Sequence, residues 1–144
     1  MRTRIAVMHG VNLDMLERRP SDVYGELSFP QLERQIGKFA QEIGLETRFF
    51  QSNFEGEFVE ELHRAADYAD GLVLNPGAWT HYAWALRDAV EIAGLPAVEV
   101  HLSDIAAREQ WRHLSVLEGV VVAQVKGQGV DGYRTALEKL KEAL

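Results

Sequence analysis

GLVLNPG, residues 71–77, is a short and almost continuously apolar run closed by an Asn-Pro-Gly turn signal. A strand with one wet face alternates apolar and polar side chains, whereas a strand covered on both faces has no such need. Working outward from it, RIAVMH (4–9), TRFFQS (47–52), AVEVH (97–101) and GVVVAQV (119–125) also read as strands, several of them equally apolar. The segments between them carry helical spacing. Ser28-Phe29-Pro30-Gln31 forms a capping box with Pro in the first turn; Leu32, Ile36, Phe39 and Ile43 follow on one face, and Gly44 ends the helix. Phe58, Leu62, Ala65 and Ala69 mark a second helix. Thr80 is placed to cap a third, which runs to Gly94 with Pro96 just beyond. Ser103 or Asp104 caps a short fourth through Arg112, and Tyr133, Ala136, Leu137, Leu140 and Leu144 mark the last.

Strict alternation of strand and helix predicts a parallel sheet with right-handed crossovers. Five strands suit a three-layer α/β, flavodoxin-like fold with sheet order 2-1-3-4-5 and helices on both faces. With 144 residues and no linker, repeat or low-complexity segment, residues 1–144 read as a single domain. In such sheets ligands bind beyond the carboxyl ends of the strands, at the switch point between strands 1 and 3.

Composition narrows the chemistry. The chain has no cysteine, which excludes disulfides, thiolate metal sites and a Cys nucleophile. Its formal net charge of −7 argues against nucleic-acid partners, so an anionic ligand needs a local arginine cluster. No apolar run approaches the roughly 20 residues that span a bilayer. MRTRIAVMHG is a poor signal peptide and a good first strand, so a cytoplasmic location is expected.

Three segments should converge at the carboxyl ends: HGVNLDMLERRPSDVYG after strand 1, NPGAWTH after strand 3 and EVHLSD at strand 4. Glu99 and His101 are two apart on one strand and share a face. The pair suits an oriented general acid or base, and equally suits a structural histidine satisfied by its neighbour. Glu99, His101 and His81 lack any compact zinc spacing such as HExxH, so no metal is expected. Arg108 and Arg112, four apart, form an anion clamp if they lie on one helix side, or else a solvated face. The amides of Leu102 and Ser103, at a helix start, offer a second anion site. Asn12, Asn75 and His81 are each consistent with a ligand contact or with a purely local role. GQG (127–129) lacks the form of a nucleotide loop, and no Walker A pattern exists. SVLEGVVVAQV (115–125) reads as core without a site. The exception is Tyr24, five residues beyond Arg19 in ERRPSDVYGE (17–26). A free phenol, with a pKa of about 10, is a poor base at neutral pH. Converging guanidinium charge favours the ionised form, which would make Tyr24 a general base.

Together GVNLDMLERR…VYG, QSNFEGEFVEELHRA, LNPGAWTHYAWALRDA and PAVEVHLSDIAARE resemble, in order and spacing, the blocks of the type II 3-dehydroquinate dehydratases, from about Ile5 to the C-terminus. The resemblance implies a flavodoxin-like fold, trimers assembled into a homododecamer, and a lyase without metal or cofactor. It implies reversible dehydration of 3-dehydroquinate to 3-dehydroshikimate through an enolate, in aromatic amino acid biosynthesis (the shikimate pathway) or quinate breakdown. Carried over, Tyr24 would be the base, supported by Arg19 on a mobile lid. Asn12 with an ordered water would steady the enolate, and His101, oriented by Glu99, would protonate the departing hydroxyl. Asn75, His81 and Arg112 would hold substrate hydroxyls, the amides of Leu102 and Ser103 the carboxylate. Arg108 would close and charge the site, and Asp88 would reach a neighbouring subunit's site. The chain departs from the family pattern at Val11, Pro20, Asp104, Ala106 and Val116. The altered lid motivates an alternative: a non-catalytic module of the same fold that binds a small hydroxylated carboxylate.

Overall fold

The computed structural model describes residues 1–144. Five parallel strands run β1 (Arg4–His9), β2 (Glu46–Gln51), β3 (Gly71–Asn75), β4 (Ala97–His101) and β5 (Ala123–Lys126), in the sheet order β2-β1-β3-β4-β5. A single helical turn, α1 (Ser21–Tyr24), precedes α2 (Phe29–Glu42); α3 (Glu55–Ala65), α4 (Trp84–Ala93) and α5 (Asp131–Ala143) follow. The doubly wound order expected from the strand–helix alternation is the order observed.

Side-chain alternation along each strand sorts the core into two halves. Ile5 and Val7 of β1, with Val73, Val98 and Val100, face Leu32, Ile36 and Phe39 of α2 and Tyr133, Leu137 and Leu140 of α5. Ala6 and Met8, with Leu72 and Leu74, face Phe58 and Leu62 of α3 and Leu86 and Val90 of α4. Burial on both faces explains why β3 is apolar at four of its five positions. At α2 the predicted capping box is complete. The Ser28 hydroxyl accepts from the Gln31 amide while the Gln31 side chain accepts from the Ser28 amide, and Gly44 at φ 79° turns the chain out. Such a cap contributes about 1 kcal/mol.

β1 and β3 end level, with His9 opposite Asn75. The chain then leaves β1 toward the α2 side and β3 toward the α4 side, which opens the switch-point crevice. The two departing loops cross at very close range. A Cβ on Gly10 would stand 2.3 Å from the Pro76 carbonyl oxygen, and one on Gly77 2.7 Å from that of Val11. Only glycine permits this approach.

Three local expectations are corrected. β5 starts at Ala123, four residues later than the apolar run GVVVAQV. Val116 and Leu117 are instead buried in the α3–α4 half of the core, with Val120 and Val121 packed against it. Gly119 turns the chain at φ 92°, and Nη1 of Arg87 ties down the carbonyls of Val116 (2.9 Å) and Glu118 (2.6 Å). Hydrophobicity there reports burial, not extension. Thr80 does not cap a helix: Gly77–His81 is a 3-10 turn, α4 begins at Trp84, and the Thr80 hydroxyl is committed elsewhere. Finally, Ser103–Arg112 is not one helix. Asp104 caps a 3-10 turn over Ile105–Ala107 by accepting from the Ala106 amide (3.0 Å), Arg108 is extended, and a second turn spans Gln110–Arg112.

Candidate active site

Beyond the carboxyl ends of β1, β3 and β4 lies a cavity of about 380 Å³. Asn12, Arg19, Tyr24, Asn75, His81, His101, Leu102, Ser103, Arg108 and Arg112 all line it. These come from the three chain segments at and beyond the ends of β1, β3 and β4. Glu99 stands behind His101, and Asp88 lies on the exposed side of α4, outside the cavity.

The deepest part is an acid–imidazole pair. Glu99 points in the same direction as His101 on β4, and Nε2 of His101 donates to Oε2 of Glu99 at 2.6 Å. Glu99 is fully buried, yet it remains a carboxylate because its oxygens accept from three further groups. Thr80 donates at 2.5 Å, Ser115 at 2.7 and 3.0 Å, and Nε2 of Gln124 at 2.8 Å. Burial pushes the Glu99 carboxyl up, but the hydrogen bond and charge of His101, with Thr80 and Gln124, outweigh it and bring it down to about 2. Since Nε2 is spent on Glu99, Nδ1 is the His101 nitrogen left for a ligand. His81 stacks on His101 with ring centroids 6.4 Å apart, and its own Nδ1 faces the Leu114 carbonyl at 2.8 Å. Burial holds His81 below the usual histidine range, with a smaller contribution from His101 and Arg112 and against the Leu114 bond.

The opposite contributor is Tyr24, half-buried at the end of α1. Arg19, extended in the residue before Pro20, lays its guanidinium over the Tyr24 ring (4.0 Å to the centroid) and donates Nη2–H to the hydroxyl oxygen. Nη1 of Arg108 donates to the same oxygen at 2.7 Å from the other side of the cavity. Two cationic donors on one oxygen suit negative charge on that oxygen. The stretched conformation of Arg108 between two 3-10 turns lets it reach Tyr24, and Arg108 also approaches the Ser103 hydroxyl at 3.4 Å.

Two backbone features complete the cavity. The amides of Leu102 and Ser103 donate to no protein acceptor, although both residues are buried. Asn12 holds a left-handed conformation (φ 69°), the sole non-glycine residue to do so. Its amide donates to Oδ1 of Asn53 (2.8 Å), and Nε2 of Gln51 donates to the Gly10 carbonyl (3.2 Å). The end of β2 therefore clamps the loop after β1. Arg112 is held by Glu109, Nε to Oε2 at 2.5 Å, with its guanidinium over Trp111. No group of three His, Cys, Asp or Glu side chains is gathered as a metal site.

This is a cavity with a phenol under two guanidinium groups at one end and an oriented imidazole at another. The model of the family described as Dehydroquinase class II matches residues 3–141. The chain belongs to the class II dehydroquinases. Among relatives of this dehydroquinase family, the 3-dehydroquinate dehydratase of Pelotomaculum thermopropionicum is 48% identical over 134 residues, 93% of each chain. That of Caldicellulosiruptor bescii is 42% identical over 142 residues, 98% of each. The fold is similar to the crystal structure of type II dehydroquinase from Butyrivibrio crossotus, with TM-score 0.92 at 37% identity, covering 97% of this chain and 98% of that one.

Sequence reasoning missed the supports of the dehydroquinase cavity. Gln124 had a readable signal, since parallel register sets it opposite Glu99. Ser115 and Thr80 had none, because each reaches Glu99 from a turn. Trp111, edge-on to His81 at 5.3 Å, was also missed.

Proposed function

We propose that this cavity removes water from 3-dehydroquinate by an enolate route, with the labour divided between its two ends. Tyr24, as the phenolate, takes the proton beside the ketone. Arg19 and Arg108 compensate its charge, and both remain cations when the phenolate is neutralised by the substrate's proton. Negative charge then moves to the enolate oxygen, where Asn12, placed by its left-handed backbone, stabilises it electrostatically. His101 gives up the Nδ1 proton to the departing hydroxyl, leaving the Nε2–H tautomer that Glu99 holds. Asn75, His81 and Arg112 hold hydroxyls, and the free amides of Leu102 and Ser103 take the carboxylate. The product is a conjugated enone, 3-dehydroshikimate, and the reverse addition of water uses the same groups.

The observation that carries this reading is the double donation from Arg19 and Arg108 onto one phenol oxygen in the same cavity as the Glu99–His101 pair. The test is ultraviolet absorbance of purified protein given 3-dehydroquinate in the presence of a chelator. Rising enone absorbance in wild type and none in Tyr24→Phe is the expected outcome. Silence from folded wild type would leave a module that binds a small hydroxylated carboxylate without turning it over.

Assembly belongs to the same reading. In this reading Asp88, exposed on α4, serves a neighbouring copy, in a trimer and then a dodecamer. The exposed Tyr82 and Trp84 at the start of that helix support an interface there. Light scattering should return a mass twelve times the chain's 16.2 kDa. No helix is long and apolar enough to cross a membrane, and the cytoplasm is the proposed compartment.

A further inference from the structure

Beneath the cavity sits a polar chain that the reaction as described does not use. His9 and Tyr133 are both completely buried, one at the end of β1 and the other in α5. The Tyr133 oxygen lies 2.9 Å from Nδ2 of Asn75 and 2.9 Å from Nε2 of His9. Nδ1 of His9 is buried with no partner at all.

Proton counting gives this chain a direction. Oδ1 of Asn75 accepts from the Gly77 amide at 3.2 Å, so its Nδ2 must be the group facing Tyr133. An NH2 only donates, so the Tyr133 oxygen is the acceptor. The single Tyr133 proton must then go to the one acceptor left in reach, Nε2 of His9. A neutral imidazole that accepts at Nε2 carries its proton on Nδ1, which is the atom without a partner. Burial holds His9 down at about 3, so the ring is neutral at working pH and Nε2 remains an acceptor. Burial likewise pushes the Tyr133 hydroxyl up, which keeps its proton in place.

We propose that His9 and Tyr133 are positioning residues, and that a one-way hydrogen-bond chain from Asn75 through the Tyr133 hydroxyl to Nε2 of His9 fixes the orientation of the Asn75 amide in the cavity. Both edges of that amide are then specified, Oδ1 by Gly77 and Nδ2 by Tyr133. One N–H and one lone pair remain for a ligand, in a fixed order. A flipped amide would set Nδ2 against the Gly77 N–H, donor against donor. The chain therefore selects a substrate hydroxyl that can accept on one side and donate on the other. This role rests on Asn75 being a substrate contact, as proposed above.

The direction is tested by long-range proton–nitrogen NMR of the histidine rings in the whole protein, with the His9 signals identified by their loss in His9→Gln. His9 should be neutral with its proton on Nδ1. A charged ring, or a proton on Nε2, overturns the chain without reference to catalysis. The role is tested by kinetics with 3-dehydroquinate. Tyr133→Phe and His9→Leu should each raise KM about five- to tenfold, the size of one lost hydrogen bond, and leave kcat within about twofold. His9→Gln, which keeps an acceptor near Nε2, should recover most of the loss. An unchanged KM in folded Tyr133→Phe, or His9→Gln as impaired as His9→Leu, overturns the positioning role. An unchanged KM in Asn75→Ala would instead sink the assignment of Asn75, with the NMR result still standing on its own.

Discussion

The two ends of the cavity are built in opposite ways. The Glu99–His101 end belongs to the sheet. Both residues sit on one strand, Glu99 is fully buried, and beside His101 three side chains from three other segments fix its oxygens. The Tyr24 end belongs to loops. Its phenol is half-buried on a four-residue helical turn, and its two guanidinium partners come from positions 5 and 84 residues away. One end is preorganised at the time of folding. The other is assembled from two loop segments, one carrying Arg19 and one carrying Arg108, that meet on the Tyr24 oxygen. The sheet end is held by buried hydrogen bonds, whereas the loop end rests on contacts between half-buried side chains.

The sharpest way to break that comparison is at the phenol. Tyr24→Phe should lower kcat by about 10³–10⁴-fold, the upper range for a general base, with the melting temperature close to wild type because the ring and its packing remain. His101→Ala should cost about 10²–10³-fold in kcat. It should also destabilise the fold, since the buried Glu99 loses its cationic or N–H partner. A His101 variant with unchanged melting would show that Glu99 does not depend on the imidazole.

A smaller effect is expected one step back. Ser115→Ala or Thr80→Val should each cost about 1–3 kcal/mol of stability, read by denaturant unfolding. Activity should fall less than in His101→Ala. If either variant lost stability but moved the pH profile not at all, these hydroxyls would be structural supports alone.

The buried groups also sharpen the comparison through acid stability. Glu99 drops from 4.5 unfolded to about 2 folded, so its stabilisation is present above pH 4.5 and is lost as pH falls toward 2. His9 drops from 6.5 to about 3, so the folded state increasingly loses against a protonated unfolded chain as pH falls from 6.5 toward 3. His9→Gln should flatten the upper window of a melting-temperature series and leave the lower. Glu99→Gln should do the reverse. The smallest effect is expected from Asn53→Ala, which removes the acceptor for the Asn12 amide. A loss of about 1 kcal/mol, expressed as a fall in kcat with little change in fold, would mark the clamp on the left-handed loop as catalytic in consequence.

Much of this protein was legible without coordinates because its signals are local or periodic. The capping box at Ser28, the uninterrupted apolar β3 and the strand–helix alternation each follow from neighbouring residues, and they fix the layers and the order. The parity of Glu99 and His101 on one strand is equally local. Where the reading failed, apolarity or spacing had two meanings. GVVVAQV is apolar at its start because Val120 and Val121 pack against the α3–α4 half of the core, and only its end extends into β5. Arg108 and Arg112 are four apart, yet the helix that would align them is absent, and Arg108 reaches Tyr24 because it is extended.

What the sequence determined by itself is the doubly wound sheet and the place of the crevice, since these depend on periodicity, turn chemistry and strand parity. What only the tertiary structure decided is how those residues are held. Thr80, Ser115 and Gln124 meet on Glu99, Asn53 clamps Asn12, and His9 and Tyr133 meet under Asn75. Each of these contacts joins separate segments of the chain, and no local propensity encodes a hydrogen bond whose partner lies on another segment.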